Sequence, residues 1–446
     1  MSSPNSSAPS RREFLKTSSA LAATATAAST LTMSRFAHAA GDDTIKIGLI
    51  GCGGRGTGAA SQALSTKGAV KLVAMGDAFK DNLDGSLKNL LASDGSLKDR
   101  IDVPDDRKFA GFDAYQKVLA AGVDLVILAT PPGFRPIHFD AAVKAGKHVF
   151  MEKPVAVDGT GVRIVLAAAE EAKKKNLGVG VGLQRRHQKE YLETIKRLQD
   201  GAIGDIVSAR VYWNGSTPWC HTREDEKKKK PDLTEMEYQM RNWYYFVWLC
   251  GDHIVEQHIH NMDVINWLKG GHPVRANGLG GAEVRKGPDY GEIFDHHAVE
   301  FEYADGTRMF SQCRHIVGCW SNISEHAHGT KGTSDISGST IKVAGGDAWK
   351  YRGERPNPYQ VEHDDLFASI RSGNPLNEAQ YGATSTMTAI LGRLCTYSGQ
   401  EISWDQALNS KISVTPKEFA FNATPPVVPG PNGMYRLAVP GVTTVV

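Results

Sequence analysis

Residues 44–56, with the sequence TIKIGLIGCGGRG, give the clearest indication of the fold of the first half of the chain. The first seven residues are mostly apolar, which is typical of a buried parallel strand. Glycines then follow at Gly51, Gly53 and Gly56 in the spacing G-x-G-x-x-G, and residues 56–64 are favourable for a helix. The stretch therefore predicts a strand, a tight glycine turn and a helix in direct succession.

This glycine loop predicts dinucleotide binding. Gly51 would permit the tight turn, Gly53 would let the backbone approach a pyrophosphate, and Gly56 would let the helix pack against the strand. The helix would also offer free N–H groups and the positive end of its dipole to the phosphates. We therefore expect Gly54 and Arg55, the first residues of that turn, to contact the cofactor as well.

Asp77 ends the second predicted strand, about 20 residues beyond the loop, where an acidic side chain accepts hydrogen bonds from the adenosine ribose hydroxyls. Its carboxylate would repel the extra phosphate of NADP, so the sequence favours NAD. Arg55 could reach such a phosphate, which leaves NADP as the less favoured cofactor.

Apolar strands and helical segments alternate from residue 44 to residue 183. Further strands are predicted at residues 69–75, 124–129, 148–151 and 177–182, and the longest intervening helix at 159–175. This alternation indicates an α/β fold with a Rossmann doubly wound parallel sheet.

The second half has longer strands with alternating apolar residues, at 206–212, 274–279, 298–303 and 307–316, interrupted by helices at 241–249 and 255–268. This pattern predicts an α+β domain with an open mixed or antiparallel sheet. We expect a cofactor domain at 40–183, a substrate and oligomerisation domain at 184–421, and an extended arm at 422–446.

The first 39 residues differ from the rest. SRREFLK at 10–16 precedes a weakly apolar stretch, and Ala37 and Ala39 give a small-x-small cleavage pattern before Ala40. The segment resembles a twin-arginine export signal, which implies passage through the Tat translocase and a periplasmic or otherwise exported location. The apolar stretch is too short and too polar for a spanning helix, so no membrane insertion is expected after cleavage.

Composition is that of a soluble globular enzyme, with 41% hydrophobic and 22% charged residues in 446. The net charge of +2 points to neither nucleic acid nor a membrane surface. The basic run Lys227–Lys230 follows three acidic residues and is interpreted as a solvated loop. Six cysteines without a CxxC pair leave a Cys313–Cys319 disulfide permitted but not required.

Two polar motifs follow consecutive predicted strands, Thr130-Pro131 after the third and Glu152-Lys153 after the fourth. Both fall at the carboxyl edge of the sheet, where doubly wound proteins bind ligands. A lysine beside the nicotinamide can hydrogen-bond a substrate hydroxyl and help it lose a proton as hydride leaves the carbon. On spacing alone, Lys153 is equally well a surface lysine before a proline turn.

The glycine loop, ATPP at 129–132, HFDAAVKAGKHVFMEKPVA at 138–156 and a later His-x-x-Asp together resemble the Gfo/Idh/MocA oxidoreductases. The likeness covers about residues 45–397, and its most specific part is the Glu-Lys-Pro segment. The resemblance implies that Lys153 is catalytic. In that family the bond that corresponds to Lys153–Pro154 is often cis.

The family usually carries D-x-G-x-H-x-x-D in its second domain, and this chain has EQHIHNMD at 256–263. Glu256 takes the position of the first aspartate and His260 that of the histidine. Their i, i+4 spacing predicts one helix face, on which the carboxylate would tune the imidazole as a general base. Asp263 is expected to have a structural role.

Histidines and aromatic residues are dense in this second half. No His-Glu-x-x-His or CxxC spacing occurs, so no metal is predicted. Sugar rings stack on aromatic faces, and Trp243 is one candidate for a substrate contact. Arg186, after the last Rossmann strand, is predicted as another.

The leading hypothesis is an NAD-dependent oxidoreductase that takes hydride from a ring carbon of a sugar, glycoside or cyclitol, with Lys153, His260 and Glu256 at the reacting carbon. Export favours tightly bound cofactor, which leaves two alternatives open. One is a redox-neutral glycosidase that oxidises, eliminates and reduces, and the other passes hydride between two sugars. A non-catalytic periplasmic sugar-binding protein is a further alternative. The family resemblance implies a homodimer or homotetramer.

Overall fold

The computed structural model describes residues 43–93 and 95–446, so the predicted export signal at 1–39 lies outside the described residues. Six short parallel strands form the first sheet, in the order β3-β2-β1-β4-β5-β6. They are Ile45–Ile50 (β1), Val70–Asp77 (β2), Lys108–Ala110 (β3), Leu125–Leu128 (β4), His148–Met151 (β5) and Val179–Val181 (β6). This order is that of a doubly wound dinucleotide-binding sheet, so the predicted fold class is confirmed.

Helices cover both faces of this sheet, because its strands are apolar on both sides and must be buried twice. In β1, for example, Ile47 and Leu49 are fully buried beneath the helix that follows the glycine loop, and that helix buries Ala59, Ala60 and Ala63. The helices are Gly54–Leu64, Lys80–Ala92, Ala114–Ala120, Arg135–Lys144 and Gly159–Lys174, with 3-10 turns at Gly95–Arg100, Asp105–Arg107, Pro132–Phe134 and Gln184–His187.

Nine strands form the second sheet, in the order β14-β13-β12-β11-β7-β10-β9-β8-β15. The strands are Ile206–Gly215 (β7), Pro273–Gly281 (β8), His296–Tyr303 (β9), Arg308–His315 (β10), Asn322–Gly329 (β11), Gly332–Asp335 (β12), Thr340–Val343 (β13), Trp349–Lys350 (β14) and Ile402–Ser403 (β15). Only β7 and β10 pair in parallel within it, which confirms the predicted mixed sheet.

The helices of the second half are Lys189–Gln199, Arg223–Lys229, Glu235–Arg241, Val247–Cys250, His253–Glu256, Ile259–Lys269, Pro358–Arg371, Ala379–Ser398 and Trp404–Asn409, with a 3-10 turn at Trp243–Tyr245. The predicted helices at 241–249 and 255–268 are therefore both divided into shorter pieces. The first is interrupted by the 3-10 turn Trp243–Tyr245, and the second breaks at 257–258, between the helices His253–Glu256 and Ile259–Lys269.

Residues Ile45–Val446 form one compact unit, and the predicted division at 183 and 421 stays a prediction. The helices Pro358–Arg371 and Ala379–Ser398 pack back on the first sheet, where Leu366 lies against Gly180 and Val181 against Gly382. No helix in the described ranges has the length and apolarity needed to cross a bilayer.

Candidate active site

A cavity of about 1290 Å³ lies at the carboxyl edge of the first sheet and is closed on its far side by residues of the second half. All ten positions predicted to bind cofactor line it, namely Gly51, Gly53, Gly54, Arg55, Gly56, Asp77, Thr130, Pro131, Glu152 and Lys153. Glu256, His260 and Trp243 line the same cavity. The fold thus brings residues from distant parts of the sequence to one place.

The four glycines of the loop fall into two pairs. At Gly51 and Gly56 the backbone conformation or close packing requires glycine, whereas Gly53 and Gly54 border open space. A Cβ on Gly56 would lie 1.9 Å from the carbonyl oxygen of Gly51, and Gly51 itself has a φ of 96°. A Cβ on Gly53 or Gly54 would meet nothing within 4 Å and would project into the cavity. Glycine at these two positions leaves room for a group that lies close to the backbone.

The helix Gly54–Leu64 begins at this loop, and no side chain caps its first turn. The N–H groups at a helix start have no partner within the helix, and the dipole there favours negative charge. The uncapped start and the open glycine backbone fit the pyrophosphate of a dinucleotide.

Asp77 lies at the end of β2, lines the cavity and is 9% exposed. Its carboxylate accepts hydrogen bonds from the backbone N–H of Cys52 at 2.6 Å and of Phe79 at 2.9 Å. Burial raises the pKa of this carboxyl, and the two backbone N–H groups oppose that rise. Asp77 thus fixes the glycine loop and also faces the cavity where a ribose would bind.

The guanidinium of Arg55 is bound by two acidic residues and an aromatic ring. Its Nε donates to Glu152, its guanidinium lies 3.3 Å from a carboxylate oxygen of Glu362, and it stacks 4.9 Å above the ring of Tyr359. Burial and the nearby Glu152 raise the pKa of Glu362. These acids and the Tyr359 ring hold the guanidinium at the cavity wall.

Lys153 follows β5, and its peptide bond to Pro154 is cis, as the family resemblance implied. Its Nζ donates to the carbonyl oxygen of Glu256 at 2.6 Å and to a carboxylate oxygen of the same residue at 2.9 Å. Both side chains are less than one-sixth exposed. The ammonium group is therefore fixed at the cavity wall by two contacts with one residue.

The prediction that Glu256 and His260 share a helix face is wrong. Glu256 is the last residue of the helix His253–Glu256, and His260 belongs to the next helix, Ile259–Lys269. The Glu256 carboxylate binds Lys153 rather than the imidazole. The chain turns between the two helices, so the spacing of a continuous helix does not apply.

His260 is 8% exposed, and its Nδ1 is buried without a hydrogen-bond partner in the described part of the chain. Its ring lies nearly parallel to that of Trp213, with 6.0 Å between the centroids. Burial and the neighbouring Lys153 lower the pKa of this imidazole well below its usual value. His260 is therefore neutral and has hydrogen-bonding capacity left for a ligand.

Arg186, predicted to contact substrate, does not line the cavity. Its guanidinium makes a bidentate ion pair with Asp263 at 2.8–3.1 Å and lies 3.9 Å from the centroid of the Tyr381 ring. Asp263 also accepts a hydrogen bond from Ser385. This buried pair connects helices, in accordance with the structural role expected for Asp263, and it holds Arg186 away from the cavity.

An aromatic wall formed by Trp213, Trp219 and Trp243 lines one side of the cavity. The rings of Trp219 and Trp243 meet edge to face with 5.8 Å between centroids. Trp219 is 44% exposed, so part of its ring remains available to a ligand. Sequence reasoning identified the aromatic density here but singled out only Trp243.

The basic run Lys227–Lys230 is not a loop, because Arg223–Lys229 forms a helix with acids in its first turn and lysines in its last. Lys229 and Lys230 line the cavity, where Lys229 pairs with Glu226. Phe421, the last residue of the predicted substrate domain, lines it too. No local signal reveals these positions, since only the tertiary fold brings them to the cofactor edge.

In the described part of the chain, Asp252, His253 and His297 have ligand atoms that converge within 4.8 Å. The Asp252 carboxylate accepts from the backbone N–H and Nδ1 of His253, from the N–H of Phe294 and from the hydroxyl of Tyr397. A carboxylate accepts about four hydrogen bonds, so no lone pair remains for a cation. These residues therefore do not fit a metal site.

The six cysteines are free, and the permitted Cys313–Cys319 bridge is not formed. Cys313 is buried on β10, whereas Cys319 is exposed in the turn that follows.

The sequence model of the Gfo/Idh/MocA group, described as an oxidoreductase family with an NAD-binding Rossmann fold, matches residues 45–181. The inositol 2-dehydrogenase of Rhizobium meliloti (strain 1021) is 24% identical over 341 residues, which cover 74% of this chain and 90% of the relative. The 2,7-anhydro-N-acetylneuraminate hydratase of Escherichia coli (strain K12) is 27% identical over 224 residues, 48% of this chain and 51% of the relative.

Among solved structures, scyllo-inositol dehydrogenase from Lactobacillus casei with bound NAD(H) and scyllo-inositol is similar with a TM-score of 0.60 and 21% identity. The match covers 81% of this chain and 99% of that protein, and it shows a common fold. Residues 45–181 thus match the family's NAD-binding Rossmann domain, and the glycine loop, Asp77 and the Glu-Lys-Pro turn all lie within this range.

Proposed function

We propose that this protein takes hydride from a hydroxyl-bearing ring carbon of a sugar, glycoside or cyclitol, with NAD as the acceptor. The proposal rests on one observation. The fixed ammonium of Lys153 and the unpartnered imidazole of His260 line the same cavity as the glycine loop. The aromatic wall beside them suits a ring with polar edges and apolar faces.

A bound nicotinamide would be the hydride acceptor, and three residues would act on the substrate hydroxyl or position the group that does. Lys153 has three N–H donors and uses two on Glu256, so the third can bind the substrate hydroxyl and stabilise negative charge as it develops on that oxygen. His260 is neutral, so a ring nitrogen can accept the hydroxyl proton as hydride leaves the carbon. Glu256 keeps the ammonium in place throughout.

The test is a single-turnover measurement on the purified mature protein. The near-ultraviolet absorbance of co-purifying cofactor is recorded first, and then a panel of sugars, cyclitols and aryl glycosides is added. Lasting reduction of the bound cofactor supports the proposal and identifies the substrate class. A protein with no bound cofactor and no response to added NAD would instead fit the non-catalytic sugar-binding alternative.

A redox-neutral glycosidase is the second candidate. Two proteins named 2,7-anhydro-N-acetylneuraminate hydratase are among the relatives, at 27% and 25% identity. In such a reaction transient oxidation to a ketone would acidify a neighbouring C–H, and a base would remove that proton as the glycosidic bond breaks. Water would then add to the resulting double bond, and the hydride would return to the carbonyl carbon. Release of the aglycone with no net cofactor reduction would identify it. Oxidation of one sugar coupled to reduction of another would indicate transfer between two sugars.

We also propose that the cofactor is NAD and is tightly bound. The C-terminal segment, residues 410–446, crosses the cofactor edge of the cavity, where Phe421 packs on Phe79 and Phe112 with 5.5 and 4.7 Å between centroids. Arg241 lies 3.7 Å from the centroid of the Phe79 ring and pairs with Asp81. These contacts enclose the side of the cavity on which Asp77 lies.

The paired arginines near the amino terminus support export through the Tat translocase to the periplasm. Fractionation of producing cells, with an Arg11→Lys/Arg12→Lys variant as control, tests this.

We further propose a homodimer or homotetramer that forms through the outer face of the second sheet, where Phe310 is 43% and Leu279 is 70% exposed. Light scattering on the purified protein measures the number of subunits.

A further inference from the structure

Gln257 directly follows Glu256 and lies on the cavity wall. It belongs to neither the glycine loop nor the Glu-Lys-Pro turn. We propose that its side-chain amide donates a hydrogen bond to an oxygen of the substrate and thereby selects for a hydroxyl or carbonyl near the reacting carbon. This inference rests on the proposed function and adds a specificity-determining residue to it.

A buried hydrogen-bonded series fixes which atom of Gln257 faces the cavity. An Arg285 nitrogen lies 2.8 Å from Nδ1 of His315, and Nε2 of His315 lies 2.8 Å from Oε1 of Gln257. A guanidinium has only donors, so Nδ1 of His315 must accept. In the neutral ring the proton is then on Nε2, which donates to the oxygen of Gln257.

The ring of His315 remains neutral because of its surroundings. It is 1% exposed, and burial, His253 and Arg285 all lower its pKa far below the usual value. Asp252 raises this pKa and His297 lowers it, and the net effect of all these neighbours is a strongly lowered pKa. The imidazole is therefore neutral near pH 7, in the tautomer that the Arg285 contact sets.

With its oxygen engaged by His315, Gln257 presents its NH₂ group on the other side. That nitrogen donates to no residue in the described part of the chain, and the residue is half-buried at the cavity. A group with only donors needs an acceptor, which for a sugar or cyclitol is a hydroxyl, ring or carbonyl oxygen. Gln257 adjoins Glu256, which binds Lys153, and all three residues line the one cavity, so a substrate bound at Lys153 would be within reach of this donor.

Two substitutions remove the donor in different ways. Gln257→Met keeps the length of the side chain and adds no charge, whereas Gln257→Glu keeps an oxygen for His315. Both are expected to raise KM and lower kcat/KM by about tenfold, the usual effect of losing one neutral hydrogen bond. Bound-cofactor absorbance should be unchanged. Gln116→Leu, on an exposed helix outside the cavity, is the matched control.

The decisive comparison uses deoxy analogues of the best substrate, each lacking one hydroxyl. The wild-type protein should disfavour one analogue by about tenfold, and both Gln257 variants should lose most of that discrimination. His315→Phe should lose it as well, whereas a merely structural effect would lower thermal stability and leave discrimination intact. Wild-type KM and full discrimination in both Gln257 variants would overturn the inference.

If the wild-type protein turns over no sugar, the proposed function fails and the inference is tested separately. Binding of each sugar to the cofactor-loaded protein is then measured by calorimetry. Weaker binding to both Gln257 variants than to the wild type supports the donor role. Equal affinity for all three proteins contradicts it.

Discussion

Lys153 and Glu256, 103 positions apart in the sequence, are joined by two hydrogen bonds of 2.6 and 2.9 Å at the cavity wall. Lys153 follows the fifth strand of the first sheet, and Glu256 ends a short helix of the second half. Because both side chains are largely buried, solvent screens their pairing little. The pair thus connects the two halves of the site and fixes an ammonium group at the cavity wall.

The first prediction concerns Lys153→Met, which keeps most of the side-chain volume but removes the charge and the donors. We expect the single-turnover rate of hydride transfer to fall by about 10²- to 10⁴-fold, since positioned proton-handling groups contribute about that much. Cofactor content should not change. Lys174→Met, on an exposed helix position, is the control. A rate within a factor of three of wild type would contradict the catalytic assignment.

Glu256→Gln should have a smaller effect. The backbone carbonyl of Glu256 still accepts from Lys153, so the ammonium stays close to its place while its charged partner is lost. We expect the rate to fall by about 10- to 100-fold. In the double variant with Lys153→Met the losses should not add, because Glu256 acts through Lys153. Additive losses would show that Glu256 contacts the substrate independently.

Asp77→Asn is expected to change cofactor preference. The amide oxygen can still accept from the N–H of Cys52, but the negative charge that repels a 2′-phosphate is gone. Affinity for NAD should fall by about tenfold, and the NAD-to-NADP affinity ratio should fall further. Titration of the cofactor-free protein measures both dissociation constants. An unchanged ratio would mean that Asp77 only supports the glycine loop.

The local part of this architecture could be predicted from the sequence. The glycine loop, Asp77 and Lys153 occupy the ends of strands, and strand ends in a parallel sheet necessarily meet at one edge. Spacing therefore predicts the glycine loop and Asp77 at this edge, whereas the role of Lys153 follows from the family resemblance, because spacing alone fits a surface lysine equally well.

The rest depended on tertiary packing. Arg186 was expected in the site, but the Asp263 carboxylate binds it elsewhere. The i, i+4 spacing of Glu256 and His260 assumed a continuous helix, and the chain instead turns between two short ones. Lys229 reaches the cavity only because its helix packs over the cofactor edge. Such positions are set by contacts distant in sequence, which periodicity does not encode.

His187 predicts a pH-dependent contribution to stability. Burial alone would lower the pKa of this imidazole, but hydrogen bonds to Asp365 at 2.6 Å and Glu378 at 3.0 Å outweigh it and raise the pKa to about 10. A raised pKa in the folded state means that stabilisation is complete below the unfolded value of about 6.5 and is lost as pH rises towards 10.

His187→Gln should therefore lower the free energy of unfolding by about 2 kcal/mol at pH 6, allowing for the partly exposed Asp365, and by much less at pH 10. Urea unfolding at several pH values measures this difference. His272→Gln, which lies outside the ion-pair cluster and stacks on Trp404, is the control. A difference that does not depend on pH would assign His187 a packing role alone.

The C-terminal segment is expected to slow cofactor release. Phe421 lines the cavity, packs on Phe79 and Phe112, and is anchored by a 2.6 Å hydrogen bond from Thr234 to its carbonyl oxygen. Each aromatic contact contributes about 0.5–1.5 kcal/mol, so Phe421→Ala should raise the cofactor dissociation rate by about tenfold or more. Val428→Ala, in the same segment and 53% exposed, is the control. Release is followed by exchange of bound cofactor for a labelled one. Equal rates in all three proteins would show that the segment covers the cavity without retaining its ligand.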